Sequence, residues 1–189
     1  MRVTGGKYRG RTVEVPSGPL EIRPAMDKMR ESLFSILGDL TGLSFLDLFS
    51  GSGILGLEAA SRGASPVACI EKDRAKFAAL LRNVGVAEEH IECHCMPAER
   101  FLLRNKTGFD IVFCDPPFPY RFRAQLLEQL MTAPSLVAGG LALIHYPSED
   151  PPPGEIRGLE VTDERNYGRS RVRFYRKVHP SIDAANPGG

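Results

Sequence analysis

No apolar run in the 189-residue sequence approaches the roughly 20 residues that a membrane-spanning helix needs. The opening stretch MRVTGGKYRGR also lacks the apolar core of a secretory signal, so a cytoplasmic location is expected and no membrane partner. Cysteine is scarce. Cys69, Cys93, Cys95 and Cys114 are too few, and two of them too deep in apolar runs, to form a disulfide framework. Cys93, His94 and Cys95, with His90 upstream, have the chemistry of soft metal ligands, but alternation along one strand sends neighbours to opposite faces, and no metal site is expected. Net charge is nearly absent too: 24 Lys and Arg stand against 23 Asp and Glu, a formal +1. Averaged over the chain, that speaks against a nucleic-acid binder, whose phosphate contacts demand clustered cations.

What is present is an ordinary globular composition, 42% apolar, long enough for one domain with its own core and a small appendage. Apolar positions at helical spacing from Met26 to Leu40 predict a helix leading into the domain. Strands are then expected at 44–49, 67–71, 91–94, 109–114 and 141–146, separated by helices at 54–62, 74–83, 98–104 and 122–131. Strands alternating with helices mean right-handed crossovers and a mostly parallel, doubly wound α/β sheet of Rossmann-like type. After the prolines at 151–153 come two short runs, 158–162 and 171–178, read as an antiparallel hairpin closing the sheet. The expected division is a basic extension at 1–24, a catalytic domain at 25–179 and a disordered tail at 180–189.

The segment Asp47-Leu48-Phe49-Ser50-Gly51-Ser52-Gly53-Ile54-Leu55-Gly56 joins the first strand to a helix, where loop backbone and helix N-terminus meet a ligand. Gly51 to Gly56 fits G-x-G-x-x-G, and Glu71 lies twenty residues beyond Gly51, placed for ribose hydroxyls. Taken alone this supports a dehydrogenase. Asp47, however, sits where a pyrophosphate would be repelled and an α-ammonium group welcomed, which favours a methionine-derived sulfonium cofactor. Pro97-Ala98-Glu99 follows the third strand at the same edge and can frame an adenine. The expected cofactor contacts are Asp47, Phe49, Gly51, Ser52, Gly53, Glu71, Lys72, Ala98 and Glu99.

Asp115-Pro116-Pro117-Phe118 follows the fourth expected strand and so falls at the same binding edge. The prolines fix their φ angles and offer no N–H, leaving an acceptor-only corner with an aromatic wall. Such a corner suits a flat heteroaromatic ring with an exocyclic amino group, its N–H donors meeting the Asp115 carboxylate and the Pro116 carbonyl while Phe118 stacks on the ring. Charge is unevenly spread. Residues 1–30 and 157–179 each hold seven Lys/Arg against three Asp/Glu, around an acidic middle. Lys7, Tyr8, Arg9 and Arg11, with Arg23 and Arg30, form the expected RNA-contacting set. Arg165, Arg169, Arg171, Arg173 and Arg176 recur in the last hairpin.

These residues resemble the bacterial RsmD-type methyltransferases. The matching stretches are Gly6 to Arg11, Arg23-Pro24, Asp27 to Glu31, Asp47 to Gly53, Gly56 to Ala59, Ser61 to Ala64 and Asp115 to Phe118. The resemblance implies transfer of a methyl group from S-adenosyl-L-methionine to the N2 amine of one guanine in 16S ribosomal RNA. The substrate would be the small ribosomal subunit or its assembly intermediate, and the enzyme a monomer. It implies cofactor roles for Asp47, Gly51, Gly53 and Glu71, an amine site at Asp115 to Phe118, and RNA contact by the N-terminus. Two departures stand out: Ala25 where the family usually has Thr, and His145-Tyr146-Pro147 in place of a more acidic strand end. Other readings are an amino-methyltransferase acting on DNA adenine or cytosine or on protein glutamine, a non-catalytic RNA-binding ribosome-assembly factor, and, on the glycine fingerprint alone, a dehydrogenase.

Overall fold

In chain order the elements are α1 (Arg23–Leu37), β1 (Phe45–Asp47), α2 (Ile54–Ser61), β2 (Val67–Ile70), α3 (Arg74–Val84), β3 (Ile91–His94), α4 (Ala98–Arg104), β4 (Phe109–Cys114), α5 (Arg123–Thr132), β5 (Leu136–Pro147), β6 (Leu159–Asn166) and β7 (Ser170–Lys177). The computed structural model describes residues 1–14 and 23–178, with side chains from Met26 onward in the second stretch. The expected tail at 180–189, the last part of the extension and the Arg23 side chain lie outside the described residues.

One seven-stranded sheet runs β3-β2-β1-β4-β5-β7-β6. Its first five strands are parallel and β7 lies antiparallel between β5 and β6. Side chains alternate across the sheet and build a core on each face. Phe45, Cys69, Ile111, Phe113 and Leu143 face α1, α2 and α3. Leu46, Ile70, Val112, Ala142 and Ile144 face α4 and α5. Gly56 lets α2 settle on the sheet, because a Cβ there would come within 2.3 Å of Cys69 Sγ.

Three expectations change. Helix α1 starts at Arg23, three residues early, because Pro24 sits in the first turn, where a missing N–H costs nothing; the boundary expected at 24/25 therefore falls inside a helix. Strand β5 starts at Leu136, five residues before the expected 141, and passes through Gly139 and Gly140 in an irregular stretch of pairing with β4. The closing hairpin is longer than expected: Asp163 to Asn166, taken as connection, continue β6 and pair with Arg171 to Phe174.

The N-terminal segment is built into the domain. Residues 1–14 fold back on themselves through an Arg2–Thr12 bridge and bonds between Val3 and Arg11 and between Val13 and Met1. Val3, Tyr8 and Val13 enter the core on the α2 face. The buried Glu58 carboxylate on α2 accepts the Thr4 N–H at 2.7 Å, the Thr4 hydroxyl at 2.6 Å and the Gly5 N–H at 2.9 Å. Arg62 Nε donates to the same carboxylate at 3.0 Å, and Arg30 Nε lies 3.9 Å away.

Candidate active site

The alternation that builds the α1–α3 face also sets the site. Asp47 follows Phe45 by two residues and His145 follows Leu143 by two, both inside their strands. Glu71 and Asp115 stand two beyond Cys69 and Phe113, one past the ends of β2 and β4. Four polar side chains therefore crowd one face at the carboxyl edge of the sheet, the binding edge of open α/β folds. A cleft of about 520 Å³ opens there, lined among others by Phe49, Gly51, Glu71, Met96, Asp115 and His145. That is room for a ligand the size of a nucleoside derivative.

The glycine loop is held from both sides. Ser50 N–H bonds to the Ile70 carbonyl at 2.9 Å, and Gly53 N–H to the Ser50 carbonyl at 2.7 Å. Gly53 is left-handed, φ 78°, and caps α2. Glu71 takes the Gly51 N–H at 2.9 Å and the Asp73 N–H at 2.8 Å, one on each carboxylate oxygen, so each oxygen keeps lone-pair capacity for a hydroxyl. Of the expected cofactor residues, Phe49, Gly51, Glu71, Lys72, Ala98 and Glu99 line the cleft, with Ile70 and Met96 as further apolar walls. Ser52 and Gly53 do not. The Ser52 carbonyl receives Asn83 Nδ2 at 2.8 Å, and both residues shape the turn from behind.

Asp47 lies beneath the loop, fully buried, with neither carboxylate oxygen partnered. Burial first, then the nearby charge of Asp115, pushes its carboxyl up to about 8. A buried acid held largely neutral in this way ionises once a cation comes near, and this is the observation that fits a sulfonium and ammonium-bearing cofactor at this edge.

At the other end of the cleft, Asp115, Pro116, Pro117 and Phe118 line the wall together, as the sequence placed them. Phe118 is 45% exposed, free to meet a flat ring. Two participants carried little sequence signal. Tyr120 packs against Phe49 in a T-shaped pair, centroids 5.6 Å apart, and donates to Glu99 at 2.5 Å, joining the wall of Asp115 to Phe118 to the start of α4. His145 Nδ1 lies 2.7 Å from Asp115 Oδ1. Strand parity puts His145 on the Asp47 face, two residues beyond Leu143, which stands level with Asp47 across β4; its meeting with Asp115 depends on the β4–β5 register.

The expected RNA set divides. Lys7, Arg9 and Arg11 are exposed, but Lys7 contacts Glu88 and Glu89 at 3.0 and 2.9 Å, while Arg11 lies over the Tyr8 ring and bonds to the Val86 carbonyl. Tyr8 and Arg30 must be withdrawn. Tyr8 is 2% exposed, with its hydroxyl bonded to Glu89, and Arg30 is 3% exposed, held by Asp27 and the Arg2 carbonyl. This segment lies against the C-terminal half of α2 and the entry to β3, at the edge away from Asp115. In the last hairpin, Arg171 and Arg173 pair with Glu164 and Arg165 with Asp163. The lysines at the cleft itself are Lys72, in the loop after β2, and Lys76, in the first turn of α3.

Residues 1–176 match the family described as conserved hypothetical protein 95. The Bacillus subtilis protein YlbH is 32% identical over 183 residues, covering 94% of this chain and 99% of that one. Ribosomal RNA small subunit methyltransferase D of Escherichia coli K12 is 40% identical over 131 residues, covering 68% of this chain and 64% of that one. The solved structure of the Escherichia coli protein yhhF superposes with a TM-score of 0.85 at 31% identity, over 94% of this chain and 98% of that one. The mostly parallel sheet with its antiparallel closing hairpin is the fold of S-adenosylmethionine-dependent methyltransferases. A match that spans this sheet, the glycine loop and the Asp-Pro-Pro-Phe segment alike makes the chain a member of the conserved hypothetical protein 95 family, that of the RsmD-type methyltransferases.

Proposed function

We propose that the protein methylates the exocyclic N2 amine of a guanine in 16S ribosomal RNA, acting in the cytoplasm as a monomer on the small subunit or its assembly intermediate. The observation that carries this reading is that one cleft holds both the Glu71 side of the glycine loop and the acceptor-only corner of Asp115 and Pro116. Its cofactor is S-adenosylmethionine, which supplies an electrophilic methyl group on a sulfonium when bound. Glu71 receives the ribose hydroxyls, Ile70, Met96 and Ala98 enclose the adenine, and Asp47 answers the positive charge from beneath. Asp115 and the Pro116 carbonyl accept the two N–H bonds of the target amine, drawing the nitrogen toward a pyramidal shape with its lone pair aimed into the cleft, while Phe118 stacks on the base. The base reaches this corner unpaired or flipped. Lys72 and Lys76 stand at the cleft for nearby phosphates; Lys7, Arg9 and Arg11 meet a more distant part of a large folded RNA.

Small subunits from a strain lacking the enzyme, incubated with methyl-labelled cofactor, should yield N2-methylguanosine in 16S RNA. Label on adenine N6, cytosine N4 or a glutamine would instead support the wider amino-methyltransferase reading. Cofactor binding without any transfer would support a non-catalytic RNA binder.

The acidity of Asp47 gives a second test. With its carboxyl at about 8, Asp47 is mostly protonated at pH 7 in the free protein. A cation arriving beside it favours the carboxylate, so binding expels a proton, and affinity rises with pH toward about 8 and falls above it as the cofactor's own α-ammonium gives up its proton. The slope is at most about tenfold per pH unit. Calorimetry at pH 7 in buffers of different ionisation heat should show nearly one proton released per cofactor; no release between pH 6 and 8 would remove Asp47 from the site.

A further inference from the structure

We infer that His145 is a positioning residue for the Asp115 carboxylate, an inference that rests on the reading of Asp115 as acceptor of the target amine. Strands β4 and β5 run parallel with Cys114 opposite Ile144, so the next residue of each, Asp115 and His145, arrives at the carboxyl edge side by side. His145 is 1% exposed and its Nδ1 lies 2.7 Å from Asp115 Oδ1. The Phe118 ring packs against the imidazole in a T-shaped pair, centroids 5.6 Å apart and planes at 63°.

The hydrogen pattern follows from what each partner can do. An ionised carboxylate only accepts, so Nδ1 donates to it. Nε2 is buried with no partner. A buried orphan N–H is rarer and costlier than an orphan lone pair, so in the uncharged ring the proton sits on Nδ1 and Nε2 is bare. One Asp115 oxygen is thereby occupied by a rigid donor, and the other keeps its lone pairs for the amine. The imidazole acts as a splint. Without it the carboxylate can turn about its χ2 bond, and the acceptor no longer meets the amino group in register with the Pro116 carbonyl.

Three measurements test this. In the free protein, ¹⁵N-histidine NMR should show Nδ1 protonated, Nε2 bare, and the Nδ1 proton shifted far downfield; Asp115→Ala should remove that shift. A proton on Nε2 instead would overturn the assignment. His145→Phe keeps the ring's volume and its contact with Phe118 but has no donor, and should lower kcat by about 10- to 100-fold with the cofactor Kd and the RNA KM within about threefold of wild type. His145→Asn, whose amide N–H can occupy the Nδ1 position, should recover most of the loss. A His145→Phe enzyme within twofold of wild type, or a His145→Asn enzyme no better than His145→Phe, would overturn the inference. If wild type itself transfers no methyl group to RNA while the NMR signature is present, it is the proposed function that fails and not the Asp115–His145 geometry.

Discussion

Replacing Asp115 by alanine is expected to cut methyl transfer by about a thousandfold or more, the scale on which loss of a principal polar contact to reacting atoms acts. The residue stands at the end of β4, stiffened by two following prolines, and is the one carboxylate in the Asp-Pro-Pro-Phe corner. Removing it leaves the amine with the Pro116 carbonyl alone, and the nitrogen relaxes toward its flat, conjugated and poorly nucleophilic form. Cofactor binding should survive and can tighten, because Asp115 is the second largest reason that the Asp47 carboxyl is raised. Lifting that like charge makes Asp47 easier to ionise against a cation at pH 7. Single-turnover transfer and calorimetry on the same variant separate the two effects. Asp115→Asn should fall between, since it keeps one acceptor but forces His145 to exchange its donor for a lone pair and to carry an unpartnered N–H on Nε2. An Asp115→Ala enzyme with full activity would refute the assignment of the amine corner.

Glu58→Ala is expected to be the most destabilising single change of a polar residue, by about 3–5 kcal/mol, the cost of breaking a buried ion pair from one side. Glu58 is fully buried and joins three elements: the hydroxyl and N–H donors of Thr4 and Gly5, Arg62 one turn further along α2, and Arg30 on α1. Truncation leaves two backbone N–H groups without an acceptor and takes the carboxylate from Arg62, which keeps only the Phe34 carbonyl and the Thr4 hydroxyl, next to an Arg30 that is itself almost wholly buried. For a chain of this size the loss corresponds to a melting temperature lower by about 10 °C. Hydrogen exchange should show where it falls: the amides of Thr4, Gly5, Lys7 and Tyr8, which bond to Glu58 and Ser61, should lose protection first. Glu58→Gln, retaining an acceptor, should cost less. Unchanged melting in Glu58→Ala would mean that the apolar contacts of Val3, Tyr8 and Val13 alone hold the segment.

Elements with a clear period were legible in the sequence. The bounds of β3, α4 and β4 agree with their residue patterns, and α2, β2 and α3 differ by a single residue at one end. That Asp115 to Phe118 and Glu71 would reach one cleft was legible for the same reason, because the end of a parallel strand fixes which edge of the sheet a side chain reaches. What escaped was whatever depends on a partner distant in sequence. Tyr8 and Arg30 have the composition of RNA contacts, and only the packing of residues 1–14 on α2 shows them turned inward. Strand β5 hid its start behind Gly139 and Gly140, which carry no periodicity. His145 needed the β4–β5 register, which no local pattern states.

The internal pairing of buried arginines has a consequence for ionic strength. Arg30, Arg62 and Arg173 have side chains 4%, 19% and 14% exposed and are bound to Asp27, Glu58 and Glu164. None of them can displace a counterion from a polyanion without first breaking a pair inside the protein. Each phosphate neutralised adds about 0.7 to 0.9 to the slope of log affinity against log salt, so arginines already paired inside the protein make that slope shallower than a count of the cations would give. Added salt would therefore weaken the protein's hold on RNA only gradually, and its hold would depend more on matching a folded surface than on releasing ions.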